Sequence, residues 1–417
     1  MTGPEAGPLD GLTVVEISHE TCAWAGKLLA DLGACTVVVE PPGGSEQRGY
    51  GPWLDDRPGP ERSLWWWYYN TGKRSIVLDL DEPSERHRFT DLIRTADILI
   101  EGEGPGRLAR LGVDHGDLAA LNPRLIHASI TPYGRNSESQ DLPITDLTVL
   151  AAGGPVWSCG YDDHSLPPVR GGGNQGFHIA SHWAVQAVLV ALFERDATGQ
   201  GQFIDVSMHA AANVTTEVAT YGYLAAGMGV ERQTGRHAAS QHTMPTQLLC
   251  ADGRYLCTGI LPRTQAEFAS ILKWIEEQGW RDEFPLAALL EMGANMESFD
   301  LRNMDRDPLL AEILGAAREA YGFLCSRLSA YDAFVGWQQR GLASGIVYSP
   351  DEAIADPHVV ARGYPVTVEH QELGRSFTYP GVPYHFSATP GGVSGRAPLL
   401  GEHQEMLAAL GGVDGDT

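Results

Sequence analysis

Short β-branched runs and stretches of helical period alternate through the first 130 residues. "TVVEIS" (13–18) reads as a strand, and "CAWAGKLLADLG" (22–33) as a helix that Gly33 is placed to cap. "CTVVVE" (35–40) is a second strand, stopped by Pro41 and Pro42, and "SIVLDL" (75–80) a third. "PSERHRFTDLIRTA" (83–96) has amphipathic spacing, with Ser84 as its expected N-cap, and "DILIEG" (97–102) follows as a fourth strand. A short helix near 116–121 leads to "LIHASITPYG" (125–134), a fifth. Strands alternating with helices of this length imply right-handed βαβ units, hence an α/β fold with a Rossmann-like parallel sheet.

The pattern then changes. Residues 177–196 are almost continuously apolar and helical, and beyond "GQFIDVSMHAAANVTTEVATYGYLAAG" helical stretches mix with a hairpin, "LLCADGRYLCTG", turned by Asp252-Gly253. These features predict a second, smaller domain over about 225–330, followed by a tail from about 331. In the tail, "SAYDAFVGWQQRG" reads as a helix followed by strand-like pieces. The run "WWWYYN" (65–70) has the composition of a base-stacking surface, but in this chain it reads as core or subunit interface.

Charge decides that last reading. The 417 residues carry a formal net charge of −24, which repels nucleic acid and anionic lipid and leaves no expectation of either as a partner. Hydrophobic residues at 43% and charged residues at 20% are ordinary for a globular protein. The six cysteines form no C-x-x-C pair and read as reduced thiols. The opening "MTGPEAGPLDGLT" has neither a basic nor an apolar signal region, so a cytoplasmic location is expected. "AVQAVLVALF" (184–193) is too short to span a bilayer and is expected to be a buried helix.

Candidate chemistry centres on "RGGGNQG" (170–176), which spells G-x-G-x-x-G before the long helix. No convincing strand precedes it, and Glu194 and Asp196 end the same helix rather than a second strand, so a dinucleotide site is not expected. His178 and His182 share one helix face at i, i+4, but no third ligand accompanies them; they read as structural and no metal is expected.

Across most of its length the chain resembles the class III CoA-transferases. The blocks are "PLDGLTVVEIS", "LLADLGACTVVVEPPGG", "NTGKRSIVLDL", "ADILIEGEGPGRLARLG", "LNPRLIHASITPYG", "ERDATGQGQFIDVSM" and "APLLGEHQEML", in family order from residue 8 to about 407. The resemblance implies a Rossmann-like large domain built from both chain ends, 1–224 and 331–417, with a smaller domain, 225–330, inserted, and an interlocked dimer. It also implies CoA lying along the large domain near His19, Leu78, Gly102, Glu103, Arg110 and Met208. Arg107 and Arg110 would supply local positive charge or merely solvate a helix face. Gly102-Glu103 stands where many members have Asn-Phe. CoA thioesters are implied as substrates with a carboxylic acid, and no permanently bound cofactor.

The family reaction depends on an aspartate in a G-D-x-x-x-G turn before a long helix, where N-terminal amides favour developing negative charge. That aspartate attacks a thioester, and a carboxylate is both nucleophile and leaving group. Laid on this chain the turn is "GGGNQG", with Gly172 at the nucleophile's position. Asp146 falls where the family is usually acidic and the racemase branch has a His-Asp pair, here Thr145-Asp146. Its role is structural, CoA-orienting or that of a substitute nucleophile; Asp162 and Asp163 lie in the loop before the turn. Two expectations follow. The chain is the nucleophile-lacking subunit of a heteromer, as in benzylsuccinate-type CoA-transferases, paired with an aspartate-containing paralogue. Alternatively it acts alone or as a homodimer: a divergent transferase, racemase or acyl-CoA-binding protein using Asp146.

Overall fold

The computed structural model describes residues 6–104, 106–236, 238–241, 243–259, 261–297 and 307–407. Residues 1–5, 298–306 and 408–417, included in the expected domains, lie outside the described residues. Chain contacts divide the molecule into two compact units. The first comprises 6–156, 170–220 and 354–407; the second comprises 157–169 and 221–353.

The first unit runs β1 (Thr13–Ile17), α1 (Ala23–Asp31), β2 (Cys35–Glu40), α2 (Leu64–Tyr69), β3 (Arg74–Val77), α3 (Pro83–Thr95) and β4 (Ile98–Glu101). It continues through α4 (Arg107–Leu111), α5 (His115–Leu121), β5 (Ile126–Thr131), α6 (Asp146–Gly153), α7 (Gln175–Thr198), β6 (Phe203–Ser207) and α8 (Met208–Val214). These six strands pair in parallel in the order β3-β2-β1-β4-β5-β6, and a separate antiparallel pair, Pro365–His370 with Arg375–Pro380, lies in the same unit. This is the doubly wound order expected of a Rossmann-like sheet. Both faces are covered, which is why the strands read as continuous apolar runs rather than alternating ones. Val14, Ile98 and Ile100 pack with Phe177 and Val188 of α7 on one face, while Val15 and Leu99 pack with Phe89 and Leu92 of α3 on the other.

Two local readings change. α3 starts two residues earlier than a Ser84 cap would allow: Pro83 occupies the first turn and Glu82 is the N-cap, without a side-chain cap bond. Proline's fixed φ and missing N–H suit that position, so Ser84 is not needed as a cap. The aromatic run forms α2, capped by Ser63 through Trp66 N–H (3.1 Å). Trp66 and Trp67 are buried in the core, whereas Trp65 and Tyr68 stay half-exposed.

Beneath α1 and α2 lies a buried ion network. Lys73 Nζ donates to Glu16 Oε2 (2.7 Å), Ala23 O (2.8 Å) and Asn70 Oδ1 (2.9 Å). Burial pushes the Glu16 carboxyl up to about 7 against the opposing pull of Lys73. A Cβ on Gly26 would meet Glu16 Oε2 at 1.6 Å, so only glycine lets α1 pass this carboxylate. The C-terminal segment returns to the same unit. Gln404 accepts from Val77 N (2.8 Å) and donates to Val77 O (2.9 Å), satisfying the open edge of β3.

α7 is long and apolar enough to cross a membrane by length and composition alone, and half of that window is buried within the protein. One face is not: Val190 and Phe193 are 64% and 80% exposed.

In the second unit the hairpin β7 (Gln247–Leu249)/β8 (Tyr255–Thr258) turns through Gly253 at φ 80°. β9 (Ser344–Ile346) adds to β8 as a third strand. The unit reaches past residue 330 because helix Ala330–Gln339 buries Trp337 against Trp274, ring centroids 4.5 Å apart, in one core with Phe268 and Tyr321.

Candidate functional site

In a doubly wound sheet the connections of the two central strands leave toward opposite faces and open a crevice beyond their carboxyl ends. Here those strands are β1 and β4, and the residues just past them are His19 and Gly102-Glu103. The chain is tight at this point. A Cβ on Gly102 would sit 2.0 Å from Thr21 Oγ1 and 2.8 Å from His19 Nδ1, so the loop after β4 approaches β1 as only glycine permits. His19 Nδ1 is 2.9 Å from Thr21 Oγ1, and burial holds its imidazole below the usual range against the pull of Glu103, Glu101 and Glu46.

Glu103 is half-buried, and its carboxyl is raised by burial, opposed by Arg107 and His19. Its N–H donates to the buried carboxylate of Glu101 (Oε2, 2.6 Å), which also pairs with Arg135. Arg107 is already matched: Nε lies 2.9 Å from Glu103 Oε2 and Nη2 3.3 Å from Asp81 Oδ2. Arg110, in the last turn of α4, is exposed and makes no ion pair among the described residues. Leu78 and Met208 lie just beyond β3 and β6 with their side chains wholly in the core, so only their backbone is available to a ligand.

The glycine turn is wired from beneath. Asp146 opens α6, where Thr145 and Thr148 form a capping box, and its buried carboxylate reaches the N-terminus of α7. Oδ1 accepts from Gly176 N (2.7 Å) and Phe177 N (3.2 Å), and Oδ2 from Arg170 Nη1 (3.1 Å). The same Arg170 nitrogen donates to the carbonyls of Gly171 (3.2 Å) and Gly173 (2.7 Å). A carboxylate on the amides of a helix's first turn satisfies orphan donors and complements the dipole. Within this frame Gly172 is exposed, and a Cβ there would meet nothing within 4 Å.

An aromatic cluster supports the other side of the turn. Asn174, the N-cap of α7, donates from Nδ2 to Tyr69 Oη (3.3 Å), which lies 2.8 Å from His178 Nε2. His178 stacks on Trp24 with centroids 4.3 Å apart, and Trp65 stacks on Tyr69 at 4.1 Å. Burial first and His182 second push His178 down to about 4, so it is neutral near pH 7; burial pushes Tyr69 up to about 12. His182 Nδ1 faces the carbonyl of His178 at 2.7 Å. In the second unit Asp162 pairs with Arg236 (3.0 Å) and Asp163 accepts from Ser165 Oγ (2.6 Å) and its N–H (2.9 Å).

Arg170, Tyr69, Trp24 and Asn174 were not singled out by the sequence. Arg170 and Asn174 flank the glycines and Tyr69 ends the aromatic run, but nothing in residue spacing announces that these segments meet.

A family model described as CoA-transferase family III matches residues 9–404. The chain is 31% identical over 406 residues to subunit BbsE of the succinyl-CoA:(R)-benzylsuccinate CoA-transferase of Thauera aromatica, covering 95% of this chain and 93% of that one. It is 29% identical to a succinate–glutarate CoA-transferase of Agrobacterium fabrum, covering 96% and 95%. Among solved structures, a CAIB/BAIF family protein from Brucella suis superposes with a TM-score of 0.75 at 25% identity, covering 97% of this chain and 99% of that one. With this match along nearly its whole length, the chain belongs to CoA-transferase family III.

Proposed function

We propose that, within this class of enzymes, the chain is the non-nucleophilic subunit of a heteromeric CoA-transferase. The observation that carries the reading is Gly172: the turn, its clamp and its helix are all present, and the residue at the tip has no side chain to acylate. The framework argues against Asp146 as a substitute, since both of its oxygens are engaged by two backbone N–H groups and Arg170. A carboxylate held that way orients the turn. The relative in Thauera aromatica is itself described as a subunit, which agrees with an assembly of unlike chains.

In this reading a CoA thioester lies along the carboxyl ends of the strands. His19, Gly102 and Glu103 line the crevice, the backbones of Leu78 and Met208 offer polar groups, and Arg110 meets phosphate while Arg107 holds Glu103. The partner's aspartate attacks the thioester carbon and expels CoA thiolate, leaving a mixed anhydride. The thiolate attacks the aspartyl carbonyl and releases the donor acid, leaving an aspartyl-CoA thioester. The acceptor carboxylate then attacks that thioester and expels CoA thiolate, forming a second anhydride. The thiolate attacks the acceptor's acyl carbon, which frees the aspartate and releases the new thioester. The exposed apolar face of α7, with Val190 and Phe193, supports an assembly in which a second chain covers it, the interlocked dimer that the resemblance implies.

Turnover is the test. The chain expressed alone is expected to transfer no CoA between acyl-CoAs and free acids, and to gain activity when mixed with an aspartate-containing paralogue. Hydroxylamine or borohydride added during turnover should mark a carboxylate on the paralogue and none here. Modification of Asp146 by either reagent would make this chain self-sufficient and overturn the reading.

A further inference from the structure

Arg232 of the second unit is a buried cation with no anionic partner among the described residues. Its side chain is only 5% exposed. Nη2 donates to the carbonyls of His164 (3.2 Å) and Leu166 (3.0 Å), and the guanidinium carbon lies 5.7 Å from the centroid of the Trp157 ring. Nε is buried and has no acceptor among the described residues. Guanidinium cannot shed its proton to escape the cost of burial, so a buried arginine is ordinarily matched by an oxyanion.

The surroundings hold this cation in place. A Cβ on Gly160 would meet Arg232 Cδ at 2.7 Å, so the loop 157–169 lies directly against the arginine stem. That loop is tied down by Trp157 Nε1 to Val230 O (3.0 Å), His164 Nε2 to Arg232 O (3.1 Å) and Asp162 N to Thr234 Oγ1 (2.9 Å). Against Arg232 opens a cavity of about 140 Å³, whose lining includes Gln233, Ser240, Asp162 and Glu231. Asp162 is committed to Arg236, and Glu231 makes no ion pair with Arg232. Gln233 is spent on Gln241 O and on Thr243, leaving Arg232, the Ser240 hydroxyl and the Gln241 side-chain amide as donors in the lining.

We propose that this cavity is a small-oxyanion site, with Arg232 as its cation and a carboxylate as its occupant. A cavity of roughly 150 Å³ accommodates a six-carbon ring, so the ligand is a carboxylic acid of about six to eight non-hydrogen atoms. With Nη2 spent on two carbonyls and Nε enclosed, Nη1 is the nitrogen left to meet a carboxylate, on a guanidinium whose fixed plane a lysine would not reproduce. All of its lining residues belong to the second unit.

Calorimetric titration of the full chain with succinate, acetate and inorganic phosphate, at constant ionic strength, tests it. Saturable binding of a carboxylate is expected, weakened about tenfold or more by both Arg232→Met and Arg232→Lys. Glu231→Gln should tighten it by removing a like charge from the lining. If Arg232→Met fails to fold, Ala239→Leu fills the cavity while keeping the arginine, and it too should abolish binding. Binding that survives the Arg232 variants belongs to another site and overturns the proposal. Binding of phosphate without either carboxylate overturns the ligand assignment. No saturable binding at millimolar concentration means that hydration alone satisfies the guanidinium, and the proposal fails.

Discussion

The crevice beyond β1 and β4 and the turn at the head of α7 solve different electrostatic problems. In the crevice, Glu101, Glu103, Arg107, Arg135 and His19 crowd together, and burial shifts His19 and Glu103 toward their neutral forms. At the turn, one carboxylate, one arginine and two backbone N–H groups close on each other, and what they frame is a bare glycine. The contrast teaches that a turn can be held rigid without any side chain at its tip. Asp146 and Arg170 keep the first turn of α7 intact whatever stands at residue 172, because they bond backbone atoms rather than its side chain.

The sharpest way to break that comparison is to separate chemistry from binding. The isolated chain should bind CoA yet transfer it at least about a thousandfold more slowly than a complex with an aspartate-containing partner, since loss of a covalent nucleophile removes most of the rate. Initial-rate assays on the chain alone and mixed check this, with CoA binding measured in parallel.

Asp146→Ala attacks the scaffold instead. It strands Arg170 and leaves two amides of α7 unpaired, and should destabilise the protein by about 3–5 kcal/mol. Asp146→Asn, which keeps an acceptor of the same shape, should cost less. Denaturant midpoints separate the two, and equal losses would mean that the charge, not the acceptor, is what matters.

In the crevice, the two arginines should differ. Arg110→Ala is expected to weaken CoA binding about tenfold, as for loss of a charge-assisted phosphate contact. Arg107→Ala should weaken it less, because Asp81 and Glu103 already neutralise that side chain. Equal effects in a titration would show that Arg107 leaves its partners when CoA arrives.

His178 gives a pH signature. Its folded value, about 4, lies below the ordinary 6.5, so between these limits the unfolded chain binds more protons than the folded one. The stability held by neutral His178 is fully present above about pH 6.5 and is lost as pH falls toward 4. His178→Gln should flatten that part of the profile in chemical denaturation at stepped pH. An unchanged slope would remove His178 as its source.

The smallest effect is expected from Gly172→Asp. A Cβ there has open space, so stability should move by less than about 1 kcal/mol. Little activity should appear either in the chain alone, if the partner chain supplies the reacting carboxylate as proposed. A large gain in transfer would mean that the nucleophile is all this chain lacks.

What the sequence determined by itself was periodic or covalent. β-branched runs of strand length, helices between them and glycine or proline punctuation fix βαβ units, and those units admit few topologies; hence β1 to β5 and α1, α3, α5 and α7 fall where the pattern put them, while β6 is not read from it. The family blocks, and the glycine-rich turn before α7, are also matters of order along the chain. Other features needed the tertiary structure. The N-cap of α3 went to Glu82 because Pro83 suits the first turn, a choice decided by backbone geometry. α2 escaped because an aromatic run has no helical stripe to read, and its burial depends on contacts with Pro398 from the far end of the chain. Asp146, Arg170, Tyr69 and His178 come from three separate stretches, and the uncompensated charge of Arg232 exists only because Gly160 lets a loop close over it. Hydrogen bonds and desolvation act over a few ångströms in space and are blind to distance along the chain. Residue spacing therefore predicts elements, while only packing decides which side chains share a carboxylate and which charge is left without one.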